Sequence, residues 1–201
     1  MKVFCKAISF ITHPVFTPFL GVLFYFYVTP EYIPEGAQTH VLISVGIITI
    51  IIPLIFFILL KYMKWISSIH LPTTKERKIP LFINILLIYI IITKVFITTF
   101  SNELHYYFLG ILFALWLCFI LVYIKIKASM HSMGMIGLTC FICLLSIHYE
   151  RNFIPIIITC FICIGAMITS RLYLKAHNVK EIIVGLIIGA LPQLILAYYW
   201  L

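Results

Sequence analysis

Seven apolar runs separated by short polar breaks take up most of this 201-residue sequence, and they constrain the fold more than any other feature. They are Ile8 to Val28, Val41 to Leu60, Leu81 to Phe100, Tyr106 to Ile124, Met133 to Ile147, Phe153 to Thr169 and Ile182 to Leu201. Within hydrocarbon every backbone N–H and C=O has to be satisfied by the segment itself, so runs of this kind predict membrane-spanning α-helices. The expected fold class is all-α, a polytopic transmembrane helix bundle of six or seven spans. The fifth and sixth runs are the shortest. At 1.5 Å per residue they barely cross a ~30 Å core, so their helices are expected to be sheltered by protein or to extend into the flanking polar segments. The first run is broken by Pro14 and Pro18, and six spans result if it lies in the interface instead of crossing. A content of 64% hydrophobic and 10% charged residues excludes a soluble globular domain. No linker or low-complexity tract divides the chain, so residues 1–201 are expected to form a single domain. The start Met1-Lys2-Val3-Phe4-Cys5-Lys6 resembles a signal sequence, but no small-residue cleavage site follows, and it reads as an uncleaved first span.

If each run crosses once, the charges separate by side. One face collects Lys2, Lys6, Lys61, Lys64, Lys75, Arg77, Lys78, Lys125, Lys127, Arg171, Lys175 and Lys180, twelve of the fourteen cations. The other holds Arg151, Lys94 near a span end, and Glu31, Glu35, Glu103 and Glu150. The positive-inside rule assigns the cation-rich face to the cytoplasm. Because the cations sit in short breaks between spans, with no basic surface or tail, nucleic acid is excluded as a partner. Cys140-x-x-Cys143 and Cys160-x-x-Cys163 have the look of a zinc ribbon, yet both lie in apolar runs where thiolates are costly to form. They read as small helix-packing residues.

Three polar breaks on the cation-rich face carry candidate chemistry. In Ser170-Arg171-Leu172-Tyr173-Leu174-Lys175-Ala176-His177-Asn178-Val179-Lys180-Glu181, His177 and Glu181 are four apart and share a helix face if the last helix starts near His177. A carboxylate accepting from one ring nitrogen leaves the other as nucleophile or base. The same cluster also fits helix capping and snorkelling at an interface. In Lys125-Ile126-Lys127-Ala128-Ser129-Met130-His131-Ser132-Met133-Gly134, Ser129, His131 and the free amides of a helix start suit an anion, and equally suit an ordinary cap. In Thr73-Thr74-Lys75-Glu76-Arg77-Lys78-Ile79-Pro80, Lys75 and Arg77 suit phosphate, and also a polybasic stop signal.

Taken in order, these breaks at 73–80, 125–134 and 170–189 resemble the type 2 phosphatidic acid phosphatase superfamily. Its signature is a Lys-x6-Arg-Pro element, a Pro-Ser-Gly-His element and a Ser-Arg-x5-His-x3-Asp element. The third is matched in spacing throughout, with Glu181 where the family has Asp; the second is matched at Ser129 and His131, with Ala128 and Met130 replacing Pro and Gly. In the first, Arg77 and Pro80 lie near the register with Lys75 upstream, and no Lys stands seven residues before an Arg-Pro. The flanking residues look like a small divergent bacterial branch.

The resemblance implies a lipid phosphate monoester or diphosphate as substrate, hydrolysed in a bacterial inner membrane through a phosphohistidine. His177 would attack phosphorus with Glu181 orienting its ring, His131 would protonate the leaving oxygen, and Lys75, Arg77, Ser129 and Arg171 would hold the phosphate oxygens. It implies no metal and no cofactor, in keeping with a sequence that has no Asp and no clustered carboxylates. The competing function is a non-catalytic membrane protein that binds or transports a lipid phosphate with the same cations. Gly185-x-x-x-Gly189 reads as close helix packing within the chain, and the oligomeric state stays open.

Overall fold

A computed structural model describes residues 1–67, 73–96 and 102–201. Among these residues there are helices and no strand. α1 is Lys2–Ile11 and α2 is Thr17–Val28. Six longer helices follow: α3 Glu35–Tyr62, α4 Thr74–Val95, α5 Asn102–Tyr123, α6 Met130–His148, α7 Ile154–Tyr173 and α8 Val179–Ala197. All six are long and apolar enough to cross a membrane.

The first apolar run is therefore not one span. It breaks at residues 12–16, where Pro14 cannot donate into a helical ladder. α1 buries Cys5 and Ser9 along one face and exposes Val3, Phe4, Phe10 and Ile11 beside Lys2 and Lys6, the pattern of a helix lying at a bilayer surface. α2 has 12 residues, about 18 Å at 1.5 Å each, too short for a ~30 Å core. It starts beside Gly134 in the second turn of α6, and its last carbonyl, Val28 O, accepts from Arg151 Nη1 at 3.0 Å beyond the far end of α6. The short α6 extends past its apolar run at both ends, and α7 extends past its run at the C-terminal end, through Tyr173.

Helix ends on the two faces are tied together by side chains. On the cation-rich face Arg77 reaches Ala128 O and Arg171 reaches Ser9 Oγ, joining the start of α4 to that of α6 and the end of α7 to the last turn of α1. On the opposite face the buried Glu103 carboxylate takes His148 Nε2 at 3.1 Å and the Tyr149 hydroxyl at 3.2 Å. The charge separation read from the sequence thus matches the order in which the helices traverse.

Four helices end in one device. Lys64, Lys125, Glu150 and Lys175 adopt left-handed backbone with φ of 58°, 62°, 50° and 52°. In each the next residue's N–H turns back five positions, as in Ala176 N to Arg171 O at 3.1 Å and Ile126 N to Leu121 O at 2.9 Å. Three of the four are lysines on the cation-rich face, where their charge meets the negative helix end.

The bundle is organised around α6, 61% of whose span is buried, the largest share among the six. Its parallel neighbour α8 packs through Gly185 and Gly189. A Cβ at Gly185 would strike Ser129 O, and one at Gly189 would strike Met133 O and lie 2.8 Å from Met133 Cα. The two glycines are an intramolecular seam, and it sets the starts of α6 and α8 side by side.

Candidate active site

Three of the six long helices begin on the cation-rich face, and each of these is capped by a side chain accepting from the third helical amide. Thr73 Oγ1 takes Glu76 N at 3.3 Å, Ser129 Oγ takes Ser132 N at 3.4 Å, and Asn178 Oδ1 takes Glu181 N at 2.9 Å. The α6 and α8 starts are also joined through backbone, Ser129 N donating to Glu181 O at 2.9 Å. Positive helix ends brought together in this way favour an anion.

Beneath them lies a cavity of about 120 Å³ whose wall includes Arg77, His131, Arg171 and His177. All four are at least nine-tenths buried. The fold thus brings together residues from three breaks that are far apart in sequence. Arg77 Nη1 donates to Ala128 O at 2.8 Å, and Arg171 Nη1 to Ser9 Oγ at 2.7 Å. Arg171 Nε is buried with no hydrogen-bond partner among the described residues. A buried, unsatisfied donor on a charged group is costly unless something occupies it, which points to an anion in the cavity.

His177 Nδ1 lies 2.6 Å from Glu181 Oε2. Glu in place of the shorter Asp still reaches the ring. The carboxylate only accepts, so Nδ1 carries the hydrogen and Nε2 keeps its lone pair. Burial pulls the His177 pKa down from the ordinary imidazole value to about 4, against the Glu181 hydrogen bond, and the Arg171 and Arg77 charges add to the fall. The ring is therefore neutral at physiological pH, the form in which a histidine is a nucleophile.

The remaining expected residues sit elsewhere. Ser129 is fully buried and acts as the α6 cap, outside the cavity wall. Lys75 is exposed on the first turn of α4 and also lies off the wall. Segment 73–80 is not a break before a span, since α4 begins at Thr74 and carries Arg77 in its first turns. The Thr73-x-x-Glu76 capping pattern is the signal for that start.

Sequence reasoning also missed three participants. Lys127, half-buried in the loop before α6, feels Arg77, Arg171 and Glu181, and its ammonium is held below the ordinary lysine value by burial first and Arg77 second. Ser9 accepts from Arg171, and its carbonyl meets His131 Nε2 at 3.1 Å. His13, on the cavity wall, sets its ring 5.1 Å from that of His131. A polar His-Pro pair interrupting an apolar run was the available clue to His13. Cys140, Cys143, Cys160 and Cys163 are free thiols on α6 and α7.

Comparison with characterised proteins and with solved structures gives no significant match. A family model does match, that of the PAP2 superfamily, over residues 125–201. That stretch holds Ser129, His131, Arg171, His177 and Glu181, and Arg77 lies outside it. Residues 125–201 are thus similar to the PAP2 superfamily.

Proposed function

We propose that the protein is an integral-membrane lipid phosphate phosphatase that works through a phosphohistidine on His177 and uses no metal. The observation that carries this reading is the 2.6 Å contact between Glu181 and His177, a buried, neutral imidazole on a cavity that also holds two buried arginines. A binding protein needs the arginines but has no use for an oriented nucleophile. The PAP2 superfamily match supports phosphatase chemistry on a phosphorylated lipid.

In this mechanism His177 Nε2 attacks phosphorus in line with the leaving oxygen. The P–O bond breaks, its electron pair goes to the leaving oxygen, and His131 supplies the proton. Glu181 takes the Nδ1 hydrogen bond and offsets the positive charge that develops on the ring. Arg77 and Arg171 hold the equatorial oxygens, Arg171 through its unsatisfied Nε, and Lys127 adds positive potential. Ser129 contributes by capping the helix that carries His131, and Lys75 by adding to the field at the rim. Water then attacks the phosphohistidine, the P–N bond breaks, His131 takes the proton from water, and inorganic phosphate leaves. Catalysis here is positioning plus electrostatics.

The substrate keeps its tails in the bilayer and presents a phosphate monoester or diphosphate to the cation-rich face. A bacterial inner membrane, with this face toward the cytoplasm, is the location proposed, and cysteine accessibility across residues 125–132 tests the orientation. The decisive assay is phosphate release from a panel of lipid phosphates in detergent, with and without EDTA. Release that EDTA leaves intact, that vanadate inhibits and that His177→Ala abolishes is expected. Full activity in His177→Ala overturns the mechanism, and binding without release favours the carrier reading.

A further inference from the structure

The break between α1 and α2 is placed against the histidine assigned to the leaving group. Ser9 O lies 3.1 Å from His131 Nε2 and can only accept. Nε2 therefore carries the hydrogen, and Nδ1 is left without a hydrogen-bond partner among the described residues. On the same segment the His13 ring stands at 80° to the His131 ring, with centroids 5.1 Å apart. Both rings line the cavity.

The segment itself is anchored. Ser170 Oγ donates to Cys5 O at 2.6 Å and Arg171 Nη1 to Ser9 Oγ at 2.7 Å, clamping α1 onto the end of α7. Val15 N donates to His13 Nδ1 at 3.3 Å, and Pro14 restricts the backbone beside it. Ser9 and His13 thus approach His131 on a fixed scaffold.

We propose that His13 and the Ser9 carbonyl are positioning groups for His131, which hold its ring so that Nδ1 is the atom that transfers the proton. The proposal rests on the phosphatase reading above. In the forward step the Nδ1 proton of the His131 imidazolium passes to the leaving oxygen as the P–O bond breaks. Nε2–H stays on Ser9 O, and the ring becomes the neutral tautomer that later takes a proton from water at Nδ1. His131 then does what His177 does, with its second nitrogen fixed by a partner. The partner is a backbone carbonyl from another helix instead of a carboxylate one turn away.

A leaving-group comparison tests this in the full-length protein. An alkyl phosphate needs its leaving oxygen protonated, whereas p-nitrophenyl phosphate expels a stable anion. His13→Ala is expected to lower kcat on the alkyl phosphate roughly tenfold, a fraction of what a general acid contributes, and to leave p-nitrophenyl phosphate within about twofold with KM unchanged. His13→Phe keeps the ring and the packing, and should restore the wild-type ratio. An equal loss on both substrates in His13→Ala, or no loss on either, overturns the proposal and leaves the phosphatase reading standing. So does a His13→Phe variant that behaves like His13→Ala. A wild-type chain inactive on both substrates overturns the parent reading and this one with it.

Discussion

Replacing Glu181 by the shorter Asp should harm this protein. Shortening the side chain by a methylene withdraws the carboxylate by about 1.5 Å. The Nδ1 contact, 2.6 Å in the native chain, then opens to about 4 Å, beyond hydrogen-bond range. Whether the backbone can follow decides the outcome, and it is pinned at both ends of the residue. Glu181 N is held by Asn178 Oδ1 at 2.9 Å, and Glu181 O receives Ser129 N at 2.9 Å. Moving residue 181 toward His177 means uncapping α8 and breaking its tie to α6. A charge-assisted hydrogen bond contributes about 1.5–3 kcal/mol, which at about 1.4 kcal/mol per factor of ten is roughly 10- to 100-fold in rate. Steady-state kinetics on a lipid phosphate should show kcat reduced by that factor in Glu181→Asp. KM should be nearly unchanged, since the carboxylate faces His177 and not the phosphate. Glu181→Gln keeps the length and loses the charge, and should fall by about tenfold. A Glu181→Asp variant as fast as wild type, or faster, refutes the reasoning, because it shows that the backbone yields or that the contact does not matter.

Three further outcomes follow from the same geometry. In kcat/KM, which reports the free enzyme, the acid limb should lie near pH 4: the proposed nucleophile is neutral His177, its pKa is lowered to about 4, and on the acid side activity is lost as pH falls through that value. An acid limb at 6.5, the ordinary imidazole value, contradicts this. Gly189→Val should overpack the α6–α8 seam at Met133 O and cost about 1–3 kcal/mol, read as a lower Tm in detergent. Gly165→Ala, where a Cβ meets nothing within 4 Å, should leave Tm unchanged or raise it. Lys64→Gly should raise stability by about 1 kcal/mol, because Lys64 adopts φ 58°, which glycine takes without strain. Lys64→Ala, which removes the charge and keeps the strain, should not.

What the sequence made legible was whatever depends on short-range spacing. The apolar runs locate the long helices because a span must satisfy its own backbone. The i, i+4 spacing of His177 and Glu181 places them on one face before any tertiary contact is known. The Gly185 and Gly189 spacing marks a close seam, though not which helix fills it. Other features depend on how distant pieces dock, and periodicity is silent about docking. Arg77 reaches Ala128 O across fifty-one positions, and Ser9 reaches Arg171 across one hundred and sixty-two. Lys75 and Arg77 look equivalent in sequence, yet one is exposed and the other lines the cavity, because they sit two residues apart on a helix and so point to different sides.

The site also explains why the positive charge gathers on one face. Part of it is structural: Lys64, Lys125 and Lys175 occupy the left-handed positions that end helices, where a cation offsets the negative helix terminus. The two buried arginines and Lys127 occupy no such left-handed position. Each loses hydration close to the other cations, while the nearby Glu181 carboxylate is committed to His177. Buried like charges of this kind destabilise an empty fold and are offset when a dianion fills the cavity. Ligand should therefore stabilise the protein, and strongly: vanadate or inorganic phosphate is expected to raise Tm in wild type, less in Arg171→Ala, and least when Arg77 is removed as well. A Tm indifferent to either anion would mean that the arginines answer to something within the chain.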